Sequence, residues 1–185
     1  MRWEELFADV EAQLVAAEAA AEHAEVTDRS RREAAALTVV DRVRLSAGMH
    51  VQVRVEGGAA VEGEIREVGS QWLLVAERQG QEALIPLAAV VAVRGLGTLS
   101  GAPGSAGLVF ERLGLGAALR GIARDRAAVS VTVSDGTTLA GTIDRVGADF
   151  IEVTAHAPGE PRRRAEVIAV VLVPFAALAV VRRSP

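Results

Sequence analysis

The sequence predicts a mainly β protein with some α-helix. Two tandem five-stranded small barrels, each preceded by a helix, are expected behind a long N-terminal amphipathic helix. The first observation is an internal repeat: the stretch that begins at Val51 returns at Val129, and the match continues without a gap. The second is the alternation of apolar and polar residues in both copies, which is typical of half-buried strands. Because a repeat defines the folding unit, the chain divides into an N-terminal helix (1–47), a first barrel (48–96), a linker with a short helix (97–124) and a second barrel (125–185).

Residues 1–47 are predicted to form a coiled-coil-like helical arm. Ala, Glu, Leu and Arg dominate, and no Gly or Pro occurs before Gly48. Apolar residues recur in alternating steps of four and three, as in a helix that packs on another helix: Trp3, Phe7, Val10 and Leu14. We expect these four to bind a second copy of the chain or a protein partner; the alternative is that the arm folds back on its own barrels. One helix to about residue 46 is preferred, although a capping-box pattern at Ser30 leaves open a break there.

The first repeat contains five short apolar segments in fewer than fifty residues, which is typical of a small barrel or roll. Val51, Val53 and Val55 alternate with polar residues, and a long strand is expected around Gly63. The remaining strands are expected at Trp72–Ala76, Ala83–Leu87 and Val90–Arg94. A glycine inside a strand usually marks a bulge or a sharp bend, so Gly63 predicts a strongly bent second strand.

The second repeat has glycine and proline at the same turn and bend positions as the first. The shared structural positions are Gly58, Gly63, Gly69 and Pro86 in the first copy and Gly136, Gly141, Gly147 and Pro174 in the second. Residues 97–110 are rich in Gly, Ser and Pro and predict a linker. A short helix is expected from Glu111 to about Arg124. The second copy also carries an insertion between its third and fourth strands, around residues 156–164.

The combined pattern resembles the Sm-like (LSm-type) fold. It consists of alternating valines, an Asp-Gly turn, a glycine inside the second strand and a Pro-led turn before the last strand, most clearly from Ser134 to Ile143. Other SH3-like small barrels share the turn and the bend. The resemblance implies RNA binding and assembly through the fourth and fifth strands. Of the acidic and Asn residues that the family places near RNA, only Asp149 matches, since the chain has no Asn. The turns that carry Arg-Gly in the family are apolar here.

Basic residues suggest one nucleic-acid surface. All twenty basic residues are arginines, spread along a chain of net charge −4. The first 28 residues hold eight acidic residues and one arginine, so the rest of the chain is slightly basic. The densest basic run is Arg162, Arg163 and Arg164, with Arg182 and Arg183 as additional candidates for phosphate contact. A solvated loop is the alternative. Trp72 and Phe150 are interpreted as core residues and not as stacking platforms.

No catalytic constellation is recognisable. The chain has no Cys, and its three histidines lack acidic or His neighbours at ligand spacing, so we expect no enzyme activity, no cofactor and no metal. No apolar run reaches the ~20 residues that span a bilayer, and no signal peptide is recognisable, so a cytoplasmic protein without membrane contact is expected.

The expected function is therefore a non-enzymatic assembly or adaptor protein. Its apolar strands around Val90–Val93 and Val167–Val173 suit burial by edge addition to one another or to partner strands. The alternative is a regulatory protein that binds nucleic acid, RNA ahead of DNA, through the basic loop of the second barrel.

Overall fold

The computed structural model describes residues 3–101, 114–155 and 169–183. The fold is mainly β with a helix at the N-terminus, as the sequence predicts. The chain divides into two compact units, residues 1–37 and residues 38–185.

The first unit contains helix α1, Trp3–Ala35. It is continuous through residue 30, so the capping-box pattern at Ser30 does not begin a new helix. The prediction of one helix to about residue 46 is wrong, since α1 ends at Ala35. Helix α2, Val39–Arg44, begins after Thr38, whose backbone is extended. Thr38 Oγ1 accepts from the Asp41 backbone N–H at 3.2 Å, and the Asp41 carboxylate accepts from the Thr38 N–H at 3.0 Å. This reciprocal capping box starts α2 and explains the break.

Protonation of the Asp41 carboxylate, which caps α2, should contribute to the loss of stability at low pH. Hydrogen bonds from the Thr38 side chain and backbone hold the pKa of Asp41 below its ordinary value of 3.8. A depressed pKa in the folded state stabilises the protein above the unfolded pKa, and this stabilisation is lost as the pH falls through the folded pKa. We therefore expect the free energy of unfolding of Asp41→Asn to fall less steeply below about pH 4 than that of the wild type. Urea unfolding across this pH range measures how steeply the free energy of unfolding falls in each protein. Equal pH dependence of the two proteins would contradict a lowered pKa of Asp41.

The second unit begins with α2 and contains, among the described residues, ten strands and one further α-helix. In chain order these are β1 His50–Val55, β2 Ala60–Val68, β3 Trp72–Ala76, β4 Glu82–Pro86, β5 Val90–Arg94, α3 Leu115–Asp125, β6 Ala128–Val133, β7 Thr138–Val146, β8 Phe150–Ala155, β9 Ala169–Pro174 and β10 Leu178–Arg183. All ten strands belong to one antiparallel sheet with the order β5-β1-β2-β3-β4-β10-β6-β7-β8-β9. The first residues of the linker are described, whereas residues 102–113 lie outside the described part.

The described strands form one open sheet and not two separately closed barrels. Each repeat contributes five adjacent strands, with its fifth strand beside its first. The first repeat does not close on itself, because β4 pairs with β10 of the second repeat. The register of this pairing is Val181 with Leu84, Arg182 with Ala83 and Arg183 with Glu82. We call this pairing of β4 with β10 the junction.

The repeat predicted from the sequence is reproduced in the hydrogen bonding of the two halves. Val51 is paired with Gly63 in the first repeat, and Val129 with Gly141 in the second. The register then shifts between Ile65 and Glu67 and at the equivalent point between Ile143 and Arg145. A bulge therefore bends the second strand of each repeat, two residues after the glycine that the sequence singles out.

Two apolar clusters form the core, and strand β10 contributes to both. Leu178 and Val181 pack with the second repeat and with α3. Ala179 and Val180 pack with the valines and isoleucines of the first repeat. The two repeats thus share core residues across the junction, and neither cluster belongs to one repeat alone.

Candidate assembly surface at the junction and the open edges

The junction is held by an ion pair between residues far apart in the sequence. Arg182 Nε lies 2.8 Å from the Glu77 carboxylate, and both side chains are mostly buried. Arg182 also donates to the backbone oxygen of Ala60 at 3.3 Å. A second ion pair, Arg183 with Asp125 at 3.1 Å, is half exposed. Both arginines that the sequence suggested as phosphate contacts therefore have carboxylate partners beside the junction.

Helix α3 covers the outer face of β3 and β4, which we define as the face that carries Trp72 and Leu84. Leu115 and Leu119 of α3 are buried with these two residues, although α3 precedes the second repeat. Gln71 of the first repeat accepts from the Leu115 N–H at 3.1 Å and so caps the helix. Trp72 is a core residue, as expected, whereas its counterpart Phe150 is only half buried.

A cavity of about 330 Å³ remains between α3 and this outer face. The helix presents small residues to it, including Ala117, Ala118 and Gly121, so the side chains of α3 do not fill the space. Leu74 and Ile122 contribute apolar walls, and both pack against the neighbouring core cluster.

A close contact of two turns fixes the other side of the junction. Gly57 in the β1–β2 turn faces Gly136 in the β6–β7 turn. A Cβ atom at position 57 would lie 2.6 Å from the Gly136 nitrogen and 2.9 Å from the Val133 oxygen. Only glycine permits this approach, and the positive φ of 73° at Gly57 also favours glycine.

The ends of the sheet expose apolar residues whose counterparts at the junction are buried. Strand β9 exposes 56% of Leu172, whereas the equivalent Leu84 of β4 is 2% exposed. Strand β5 exposes 60% of Val91, whereas the equivalent Ala179 of β10 is 0% exposed. Val170, also on β9, is 62% exposed. We call β5 and β9 the open edges.

The repeat positions named from the sequence lie at turns and bends. Gly58 and Gly136 have positive φ in the first turn of their repeats. Backbone hydrogen bonds are also equivalent: the Gly69 N–H donates to Trp72 and the Gly147 N–H to Phe150, both at 2.8 Å. Pro86 and Pro174 each end the fourth strand and precede a 3-10 turn.

The residues predicted for the helical interface are only partly described. Trp3, Phe7 and Leu14 are exposed on α1, and the Trp3 and Phe7 rings lie 6.4 Å apart. Val10 belongs to α1, but its side chain lies outside the described residues. Arg162, Arg163 and Arg164 also lie outside the described residues.

Sequence reasoning missed the residues that join the repeats. Glu77, Gln71 and Gly57 each contact the other repeat, yet none carries a motif of its own. These positions differ between the copies, with Ala155, Asp149 and Asp135 as their counterparts in the second repeat. Most other aligned positions differ as well, so the difference alone could not have identified them.

Within the part of the chain that the structure describes, no group of three or more His, Asp or Glu residues is arranged to hold a metal ion. In that same part, no helix has the length and apolar character needed to cross a membrane. Neither the models of known protein families nor the sequences of curated proteins match this chain.

Proposed function

We propose that the protein is a non-enzymatic assembly module that binds protein strands at the open edges of its sheet. The observation that carries this proposal is the contrast between the junction and the edges. The junction buries Leu84 and Ala179 in the core of the opposite repeat. Their counterparts Leu172 and Val91 are exposed on strands that have a neighbouring strand on one side only within the described sheet, which is the surface that strand addition requires.

The positions of the two junction strands within their repeats support the Sm-like interpretation of each repeat. The fourth strand of one repeat pairs with the fifth strand of the other. Sm-like proteins assemble through these two strands, so two Sm-like units joined in one chain account for the continuous sheet. Among the described strands, the two edges of the sheet are then a fifth strand, β5, and a fourth strand, β9.

A peptide with the sequence of β10, Leu178–Arg183, tests strand addition directly. In dilute protein, we expect it to slow amide hydrogen exchange in β9, because β9 is the equivalent of the strand that β10 pairs with in the chain. Leu172→Lys should abolish this protection, since a lysine would leave an unpaired charge in the new contact. Val26→Lys, at a similarly exposed position on helix α1 and in neither edge strand, should not. Unchanged exchange in β9 at millimolar peptide would contradict the proposal.

Helix α1 supplies a second binding surface in this proposal, through Trp3, Phe7, Val10 and Leu14. Three of these side chains are exposed, and large exposed apolar residues at this spacing suit contact with another helix. Sedimentation of a chain that lacks residues 1–28 measures this contribution. An unchanged mass distribution relative to the full chain would exclude α1 as an oligomer interface.

Nucleic-acid binding, RNA ahead of DNA, stays the alternative hypothesis. It depends on Arg162, Arg163 and Arg164, because Arg182 and Arg183 already bind carboxylates. Titration with single-stranded RNA and duplex DNA at two salt concentrations tests it. Salt-dependent micromolar binding that is lost when the three loop arginines become alanine would support it, and the absence of such binding would exclude it.

A further inference from the structure

We propose that the cavity beneath α3 is a binding site for a small organic cation, a molecule with an apolar body and one protonated amine. Such a site goes beyond the proposed strand binding, because it lies on the outer face of β3 and β4 and not at the open edges. Three observations carry the proposal. Helix α3 is attached in a way that keeps the space open, the walls of the space are apolar, and its rim has an excess of negative charge.

Helix α3 is attached at both ends, so the space beneath its middle is retained. At the first turn, Leu115 is buried and its N–H donates to Gln71 at 3.1 Å. At the last turn, Asp125 lies 3.1 Å from Arg183 of β10, and β6 begins only a few residues later. Between these ends Gly121 borders the cavity, and a Cβ atom there would meet nothing within 4 Å. The sheet therefore leaves room beneath the helix that the chain itself does not fill.

The walls of the cavity are apolar and come from both repeats. The first repeat contributes Trp72, Leu74 and Leu84, and the second contributes Ile122 of α3 and Val181 of β10. A volume of about 330 Å³ with such walls is within the range of small-molecule sites in proteins. Transfer of an apolar group from water to these walls is favourable, so the site selects a ligand with an apolar body.

The rim of the cavity determines the charge of the ligand. Glu67, Glu82 and Asp125 border the space together with a single basic residue, Arg183. Arg183 already pairs with Asp125 and is the register partner of Glu82. Within the described residues Glu67 has no ion pair. Because three carboxylates outnumber one guanidinium, the rim attracts a protonated amine and repels phosphates and carboxylates.

The second repeat does not have this chemistry on its equivalent face. Alignment of Val51 with Val129 places Arg145 at the position of Glu67 and Glu152 at the position of Leu74. These two residues lie 3.5 Å apart as an ion pair. The free carboxylate and one apolar wall of the cavity are thus replaced by a charged pair, so the site belongs to the first repeat and the helix that covers it.

The fluorescence of Trp72 provides a direct test. The chain has two tryptophans, so Trp3→Phe leaves Trp72, a wall of the cavity, as the only one. The probes are phenylbutylamine, phenylbutanol and phenylbutyrate, which share an apolar body and differ in charge. At neutral pH we expect the amine to change the emission saturably, with a dissociation constant about tenfold lower than that of the alcohol. We expect no saturable response to the carboxylate.

Two variants in this background locate the site. Glu67→Gln should raise the dissociation constant of the amine about fivefold and leave that of the alcohol unchanged. Glu62→Gln is the matched control, since Glu62 is exposed on the same strand and does not border the cavity. Gly121→Leu should fill the space and abolish binding of both probes. Urea unfolding should show that this variant is at least as stable as the wild type, because leucine is favoured over glycine in a helix.

Each outcome of the titrations has one meaning. Preference for the amine, weakened by Glu67→Gln and abolished by Gly121→Leu, supports the proposed site. No saturable response at millimolar amine, an amine that binds no more tightly than the alcohol, equal effects of Glu67→Gln and Glu62→Gln, or amine binding that survives Gly121→Leu overturns it. Strand addition is measured separately, by protection of β9, so failure of the cation site is distinguishable from failure of the proposed function.

Discussion

Replacement of Gly141 with alanine is expected to lower the free energy of unfolding by about 3 kcal/mol or more. Gly141 lies in β7 where β8 crosses close to it, and a Cβ atom there would collide with the Thr154 carbonyl oxygen. The same atom would lie 2.9 Å from the Val153 side chain. The backbone oxygen cannot move without disturbing the pairing of β7 with β8, so the strain cannot be relieved locally. Urea unfolding of the purified variant measures the effect.

Gly121→Ala is the matched control for this substitution. Gly121 lies within α3, and a Cβ atom there meets nothing within 4 Å. Because alanine is favoured over glycine in a helix by about 1 kcal/mol, this variant should be as stable as the wild type or more stable. A Gly141→Ala variant as stable as Gly121→Ala would show that the strand does not approach as closely as described.

Leu119→Ala is expected to cost about 3 kcal/mol of stability. Leu119 is 0% exposed on α3 and packs with residues of both repeats. Its truncation leaves a cavity at the point where the two repeats share a core. The loss should therefore destabilise residues 38–185 as one cooperative unit, with β3 and β8 unfolding together.

Thermal and urea unfolding, with hydrogen exchange to locate the unfolding region, measure this effect. Leu99→Ala supplies the control, because Leu99 is 71% exposed and its truncation should change stability by less than about 0.5 kcal/mol. Selective loss of protection in the second repeat, with the first repeat intact, would contradict a shared core.

Most of the local structure could be predicted from the sequence because it depends on local periodicity. Alternation at Val51 and Val53 fixes which face of a strand is buried, and the gapless repeat transfers that assignment to the second copy. The glycine in each second strand predicted a bend, and a bulge follows it in both repeats. The end of α1 was harder to place, because Ser30 and Thr38 both carry capping patterns and only Thr38 begins a helix.

The joining of the repeats could not be predicted, because it depends on contacts between distant residues. Glu77 and Arg182 are 105 positions apart, and Gln71 caps a helix 44 positions later. Two separate barrels and one continuous sheet have the same strand periodicity, so the pattern does not distinguish them. The apolar character of Val90–Val93 and Val167–Val173 suggested burial by strand addition, which stays a prediction. Only the strand order identifies β5 and β9 as the edges of the described sheet.

The central claim is that β5 and β9 are edges that accept a further strand, and amide hydrogen exchange as a function of protein concentration and of added β10 peptide tests it most directly. Strand addition predicts that amides of β9 become protected as the peptide concentration rises, and that amides of β5 and β9 become protected together if the added strand comes from another copy of the chain. Amides of β2, an interior strand, should be protected at every concentration. Exchange in β5 and β9 that is fast and independent of both concentrations would contradict the claim.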